Sequence, residues 1–194
     1  MNLLLNKYQD YMRLNGCRAS YELADGTVIM VPYLEENFLH LIGLHKLTDI
    51  QLIQFWRDPG NPTVKLPDVI RAIKNETLTD ANITASTHFS SICDRYNNFS
   101  YESLTKLSYT DAVINFNSAL AHSRLNSDYL LFESKGSGYN HLGIAYDGVN
   151  GRRYFESFFY EPSNQYVAGQ IIVPIKKFTL LDNSNNIIIE DSFP

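Results

Sequence analysis

An α+β fold is predicted, with an N-terminal β-hairpin and helices packed on a C-terminal antiparallel β-sheet. Three observations predict it. Residues 48 to 110 carry broken helical patterns. From residue 111 onward the texture turns to β-prone runs separated by Gly, Asn, Asp and Pro, which suits an antiparallel sheet. Near the start, Asp25-Gly26 stands between two further β-prone runs, a dipeptide suited to the positive φ angles of a tight hairpin turn. Helices gathered before strands indicate segregated layers rather than alternating βαβ units. At 194 residues the chain suffices for one well-buried core. We therefore read residues 1–194 as a single domain, 1–110 forming the hairpin and helices and 111–194 mainly the sheet.

The elements follow in order. Leu3, Leu4, Tyr8, Tyr11 and Met12 fall near helical spacing, and Asn15-Gly16 supplies a stop. The hairpin spans residues 18–31. Pro32 closes its second strand and can open a helix reaching to about residue 42, with Leu34, Phe38, Leu41 and Ile42 in one stripe. "LTDIQLIQFWRD" opens a helix with Thr48 as its cap, "DPGNP" is a loop, and Pro67 suits the first turn of "LPDVIRAIKNE". The stretch from Ser86 to Leu107 holds one or two short helices. The strands are "DYLLFESK", "YNHLGIAYD", "RRYFESFFYE", "QIIVPIKKFTLL" and "NNIIIED", with "YDGVNGRRY" a hairpin loop.

Composition bounds the function. With 44% hydrophobic and 19% charged residues the chain folds, because disordered segments are poor in apolar groups. A net charge of −5 argues against a protein that coats nucleic acid non-specifically, although a local cationic groove is compatible with it. There is no basic, apolar leader at the N-terminus and no run of about 18 apolar residues, so the expectation is a cytoplasmic protein with no membrane span. Cys17 and Cys93 lack partner spacing and read as free thiols. His40 and His45 are not the i,i+4 pair that places two zinc ligands on one helical face, so no metal site and no cofactor are expected.

On the helix near residue 40, His40 lies about 120° from the middle of the apolar stripe, in line with Tyr33 and Asn37. A histidine at such a boundary can titrate and still be held in place, so both a structural and a catalytic role fit. The direction of His45, beyond Gly43, is not readable. Along "NHLGIAYD" one face carries His141, Gly143 and Ala145, small enough for another element or a ligand to approach closely. Ser157 alternates between Phe155 and Phe159, where a hydroxyl needs a partner or a substrate. The basic residues of the second half, among them Arg124 and Lys135, form no run, and "SKGSG" lacks the spacing of a phosphate loop.

Taken together, Asn37, Phe38, His40, Leu41, Gly43 and Leu44, followed by Ser157, Phe158, Phe159, Tyr166 and Gln170, resemble the phage-borne branch of the barnase/EndoU/colicin/RelE-like (BECR) nuclease superfamily. The resemblance covers about residues 18 to 175. It implies helices followed by a curved antiparallel sheet of about four strands, with an RNA-cleaving site on the concave face. It further implies a metal-independent endoribonuclease serving as a toxin or effector of a phage or mobile element. His40 is then the acid/base group, Ser157 and Tyr166 are polar catalytic residues, and Arg124 or Lys135 neutralises the phosphate. Gln170 orients substrate, with Asn37 and His141 beside it. The implied partners are RNA and an antitoxin or a host nucleic-acid-handling protein. The alternative is a catalytically idle member of the fold acting by protein binding, such as a phage counter-defence or anti-CRISPR factor. A nucleotide-modifying or nucleotide-binding enzyme on a similar sheet is a third reading.

Overall fold

A computed structural model describes residues 2–61, 63–105 and 109–193. Of the segments read from sequence, Pro62 of the "DPGNP" loop and Lys106 and Leu107 of the 86–107 stretch lie outside the described residues.

Helix α1 (Leu3–Met12) starts at Asn2, whose side-chain oxygen accepts the Leu5 N–H at 3.4 Å, a standard N-cap use of asparagine. Leu4, Tyr8 and Tyr11 recur at i, i+4 and i+7 and are buried. Strands β1 (Arg18–Leu23) and β2 (Val28–Pro32) form the expected hairpin. In its turn only Gly26 takes a positive φ, while Asp25 Oδ1 accepts the Thr27 N–H at 2.9 Å. The loop is therefore built on an Asx turn rather than on two left-handed residues.

The helix expected from Pro32 to residue 42 is broken. Tyr33 and Leu34 are not helical, Glu35–Asn37 form a 3₁₀ turn, and only α2 (Phe38–Leu41) is α-helical. Burial is the reason: the Tyr33 ring is drawn into the core, its hydroxyl donating to Leu104 O at 2.6 Å and its ring 4.6 Å from that of Phe155. Thr48 does not cap the next helix either. Helix α3 (Gln51–Arg57) begins after Ile50 without a side-chain cap, and Asp49 is engaged instead by Ser86 Oγ and the Thr87 N–H. Helix α4 (Leu66–Lys74) has Pro67 in its first turn as expected. Helix α5 (Asp80–Thr84) follows, and the stretch after Ser86 resolves into a 3₁₀ turn, α6 (Cys93–Asn98) and α7 (Tyr101–Thr105). Cys17 is buried and Cys93 half-buried, both as free thiols.

The remaining strands are β3 (Asp111–Ile114), β4 (Tyr129–Lys135), β5 (Gly138–Asp147), β6 (Arg152–Glu161), β7 (Ile171–Leu181) and β8 (Ile187–Ser192). All pairings among the described residues are antiparallel, in the order β2-β1-β7-β3-β4-β5-β6, with β8 also on β7. The sheet thus has eight described strands, not about four, and the N-terminal hairpin belongs to it through the β1–β7 pairing. Its two ends, β2 and β6, lie against each other, so the sheet curls nearly into a barrel. Helices α2 and α6 pack on β6. An aromatic knot of Tyr11, Phe38, Phe99 and Phe158, with neighbouring centroids 5.5 to 6.0 Å apart, ties α1 and α2 to that strand. Among the described residues, no helix is long and apolar enough to cross a membrane.

Candidate active site

Burial of Phe38, Leu39, Leu41 and Ile42 leaves His40 as the half-buried residue of α2. The chain then reverses at Gly43, whose φ of +88° favours glycine. A Cβ there would also lie 2.9 Å from Arg95 Cδ and 2.9 Å from Ile92 Cγ2, so this glycine answers two demands. The reversal lays the ring of His45 on that of His40, centroids 4.7 Å apart and planes 30° from parallel. Trp56 of α3 meets His40 edge-on at 5.7 Å.

Arg95 of α6 passes behind Gly43. Its Nη1 donates to His40 O and its Nη2 to Ser157 Oγ, each at 3.1 Å. Only 8% of Arg95 is exposed, yet no carboxylate among the described residues pairs with it. Burial pulls its pKa down to about 10, opposed in part by Tyr166.

Ser157 owes its direction to a β-bulge. Gly143 pairs with Ser157 and Ile144 with Phe155, leaving Glu156 as the extra residue. The bulge shifts the alternation of β6, so Phe155 and Phe158 both enter the main core while Ser157 and Phe159 line a cleft. The expected placement of Ser157 on one face with Phe155 is corrected accordingly, while Phe159 stays on its face. The small face of β5 is also put to another use. A Cβ at Gly143 would lie 2.5 Å from Ser127 Oγ, so the space beside it is filled by the protein's own Ser127, which donates to the Glu156 carboxylate.

The cleft has a volume of about 520 Å³, and His40, Ser157, Tyr166 and Arg124 all line it together with His45 and Arg95. The other named residues are placed elsewhere. Lys135 donates to Asn98 Oδ1 at 2.8 Å, and Gln170 pins the main chain of Asn117 through two bonds. His141 is fully buried beneath the cleft, 4.9 Å from the Phe159 ring and 5.5 Å from Tyr166. Asn37 borders an adjoining hollow on the far side of His40.

The cleft lining is locally cationic in an acidic protein, with Lys46, Arg95 and Arg124 against Asp94 and Glu156. Burial, followed by the charges of Arg57 and Arg95, holds the His40 pKa below the ordinary imidazole value. Burial also takes His45 down to about 3, helped by His40 and Arg95. Both rings are thus neutral at pH 7, and burial makes His45 hard to protonate. Among the described residues no group of three or more His, Cys, Asp or Glu side chains is arranged to hold a metal ion.

Arg95 had no place in the sequence reading, although a signal exists for it. Ile92, Tyr96 and Phe99 are buried at helical spacing, and Arg95 falls inside that stripe. An arginine on a buried line must find a carboxylate or a ligand. Glu156 became legible only with the bulge.

Comparison with curated proteins and with solved structures returned no match. A family model does match, over residues 3–189, in accord with the Asn37-to-Leu44 string and the cleft it builds: the chain belongs to the family described as phage-Barnase-EndoU-ColicinE5/D-RelE like nuclease4, PBECR4.

Proposed function

We propose that the cleft is the active site of a metal-independent endoribonuclease. One observation carries the reading: a buried guanidinium without a carboxylate partner among the described residues stands beside a neutral imidazole in a cleft. An unpaired buried cation invites an anion, and Arg presents a planar fork suited to phosphate oxygens. In the proposed reaction His40 removes the proton of the ribose 2′-hydroxyl, whose oxygen then attacks the adjacent phosphorus. Arg95 takes up the charge that develops on the non-bridging oxygens. Ser157 Oγ already accepts from Arg95, so its own O–H is free to donate to the same oxygens. Tyr166 supplies the proton to the departing 5′-oxygen, and the exposed Arg124 meets a flanking phosphate. Cleavage leaves a 2′,3′-cyclic phosphate and a 5′-hydroxyl.

The biological setting that goes with this chemistry is a phage or mobile-element toxin or effector, restrained by an antitoxin. The test is incubation of the purified protein with total RNA in the presence of a chelator, with mapping of the fragment ends. Cyclic phosphate ends, with His40→Ala slowing cleavage on the order of 10²-fold, are the expected result. Activity that vanishes in chelator and returns with Mg²⁺ would sink the proposed chemistry. Intact RNA combined with a stable complex with a nucleic-acid-handling protein would favour a binding role instead.

A further inference from the structure

His40 borders two hollows and so stands at their junction. The second, of about 350 Å³, is lined by Glu36, Asn37, Trp56, Arg152 and Tyr154 among others. Its charge differs from that of the cleft. Arg152 is paired with Glu36 at 2.8 Å, and Asp147 is tied into its own turn by the N–H groups of Val149 and Asn150. With Arg152, its one cation among the described residues, neutralised, this hollow is no place for a phosphate. Trp56 and Tyr154 give it aromatic walls, which suit a flat neutral group.

Asn37 gives the hollow its specificity. It precedes α2 at the position where asparagine commonly caps a helix, yet its side chain makes no capping bond. Only 8% of the residue is exposed, its Oδ1 is fully buried without a partner, and its amide makes no hydrogen bond among the described residues. Leaving a buried amide unpaired costs stability, and such groups in native structures call for an explanation.

We propose that this hollow is a nucleobase subsite, in which the base next to the scissile phosphate lies against Trp56 and Tyr154 and pairs its edge with the Asn37 amide. The inference rests on the reading of the neighbouring cleft as a phosphate site. One end of the Asn37 amide is fully buried, so a base in the hollow meets the other end, which offers a single hydrogen bond to the Watson–Crick edge whichever way the amide is turned. In a duplex that edge is occupied and the base is stacked. The substrate is therefore a single-stranded segment.

Trp56 is the only tryptophan of the chain, so its fluorescence reports on this hollow directly. The experiment titrates the protein with a mixed-sequence DNA oligonucleotide, which lacks the attacking 2′-hydroxyl, as a single strand and annealed to its complement. Saturable quenching by the single strand, with at least tenfold weaker response to the duplex, is the expected result. Asn37→Leu should weaken the single-strand response about tenfold, as expected when a polar edge loses its partner, without lowering the thermal midpoint. Tyr154→Leu, at the other, half-buried aromatic residue of the lining, should weaken it as well. Equal response to both oligonucleotides overturns the proposal. So does unchanged binding by the two variants, or an Asn37→Leu protein that loses stability while binding normally. If Trp56 responds as described but RNA is not cleaved, the nuclease reading fails alone. If RNA is cleaved while Trp56 stays silent, the subsite fails alone.

Discussion

Arg95 donates from Nη1 to the main-chain carbonyl oxygen of His40 at 3.1 Å, so the residue proposed to meet the phosphate also holds the turn bearing the proposed base. Its second bond, to Ser157 Oγ, fixes that turn to β6. Arg95→Lys keeps the charge but loses the fork, and cleavage should fall on the order of 10²-fold. Arg95→Met should abolish cleavage with little change in the thermal midpoint, because relief of a buried cation without a carboxylate offsets the two hydrogen bonds lost at His40 O and Ser157 Oγ. Rate assays paired with thermal melts check both, and a collapse in the melting of Arg95→Met would show that the residue serves the fold.

Gly43→Ala should destabilise the protein by about 1–3 kcal/mol in denaturant titration, from a left-handed φ and an added methyl pressed on Arg95 and Ile92. The same methyl displaces Arg95, so activity should drop with stability. A variant as stable as the parent would mean the reversal at residue 43 is not built this way.

His40, His45 and His141 all have pKa values lowered from 6.5, chiefly by burial, the last two to about 3. Between those values and 6.5 the unfolded chain binds more protons than the folded one, so stability rises with pH through that window and is lost as pH falls. The thermal midpoint should therefore drop between pH 6.5 and 4. Neither ring nitrogen of His141 has a hydrogen-bond partner among the described residues, and His141→Phe keeps an aromatic ring against Phe159 while removing the titrating group. That variant should hold its midpoint at pH 7 and show a flatter fall on acidification. Parallel curves for variant and parent would refute the assignment.

Gly143→Ala should be destabilising, since its Cβ would sit 2.5 Å from Ser127 Oγ. With Ser127→Ala added the nearest Ser127 atom is its Cβ at 3.7 Å, an ordinary contact, so the double variant should be more stable than the sum of the single changes implies. Chemical denaturation of the parent and the three variants measures the coupling. Simple additivity would show that Ser127 does not fill the gap.

The local chemistry of the chain was readable where neighbours in sequence decide the outcome. Asp25-Gly26 announced the hairpin, Pro67 the start of α4, and the period-two runs after residue 111 most of the strands. What could not be read depends on partners distant in sequence. Tyr33 leaves the predicted helix because Leu104 and Phe155 receive it, and Ser157 changes face because a bulge sits at Glu156. Of the site, His40, Ser157, Tyr166 and Arg124 were named from the family resemblance and share one cleft. Arg95 escaped because its meaning lies in a carbonyl and a hydroxyl contributed by two other segments.

Strand β7 pairs with β3 through residues 171–174 and with β1 and β8 through residues 175–181 and 177–181. During synthesis the hairpin is made before β7, so one edge of β1 has no partner until β7 follows. The groups that line the cleft, from His40 to Tyr166, all precede that strand. A chain halted before residue 171 would carry every one of them on a sheet with open edges at β1 and β3. Contacts so distant in sequence form slowly, and open edges invite pairing with other chains. The strand that closes those edges is therefore made after every residue that lines the cleft.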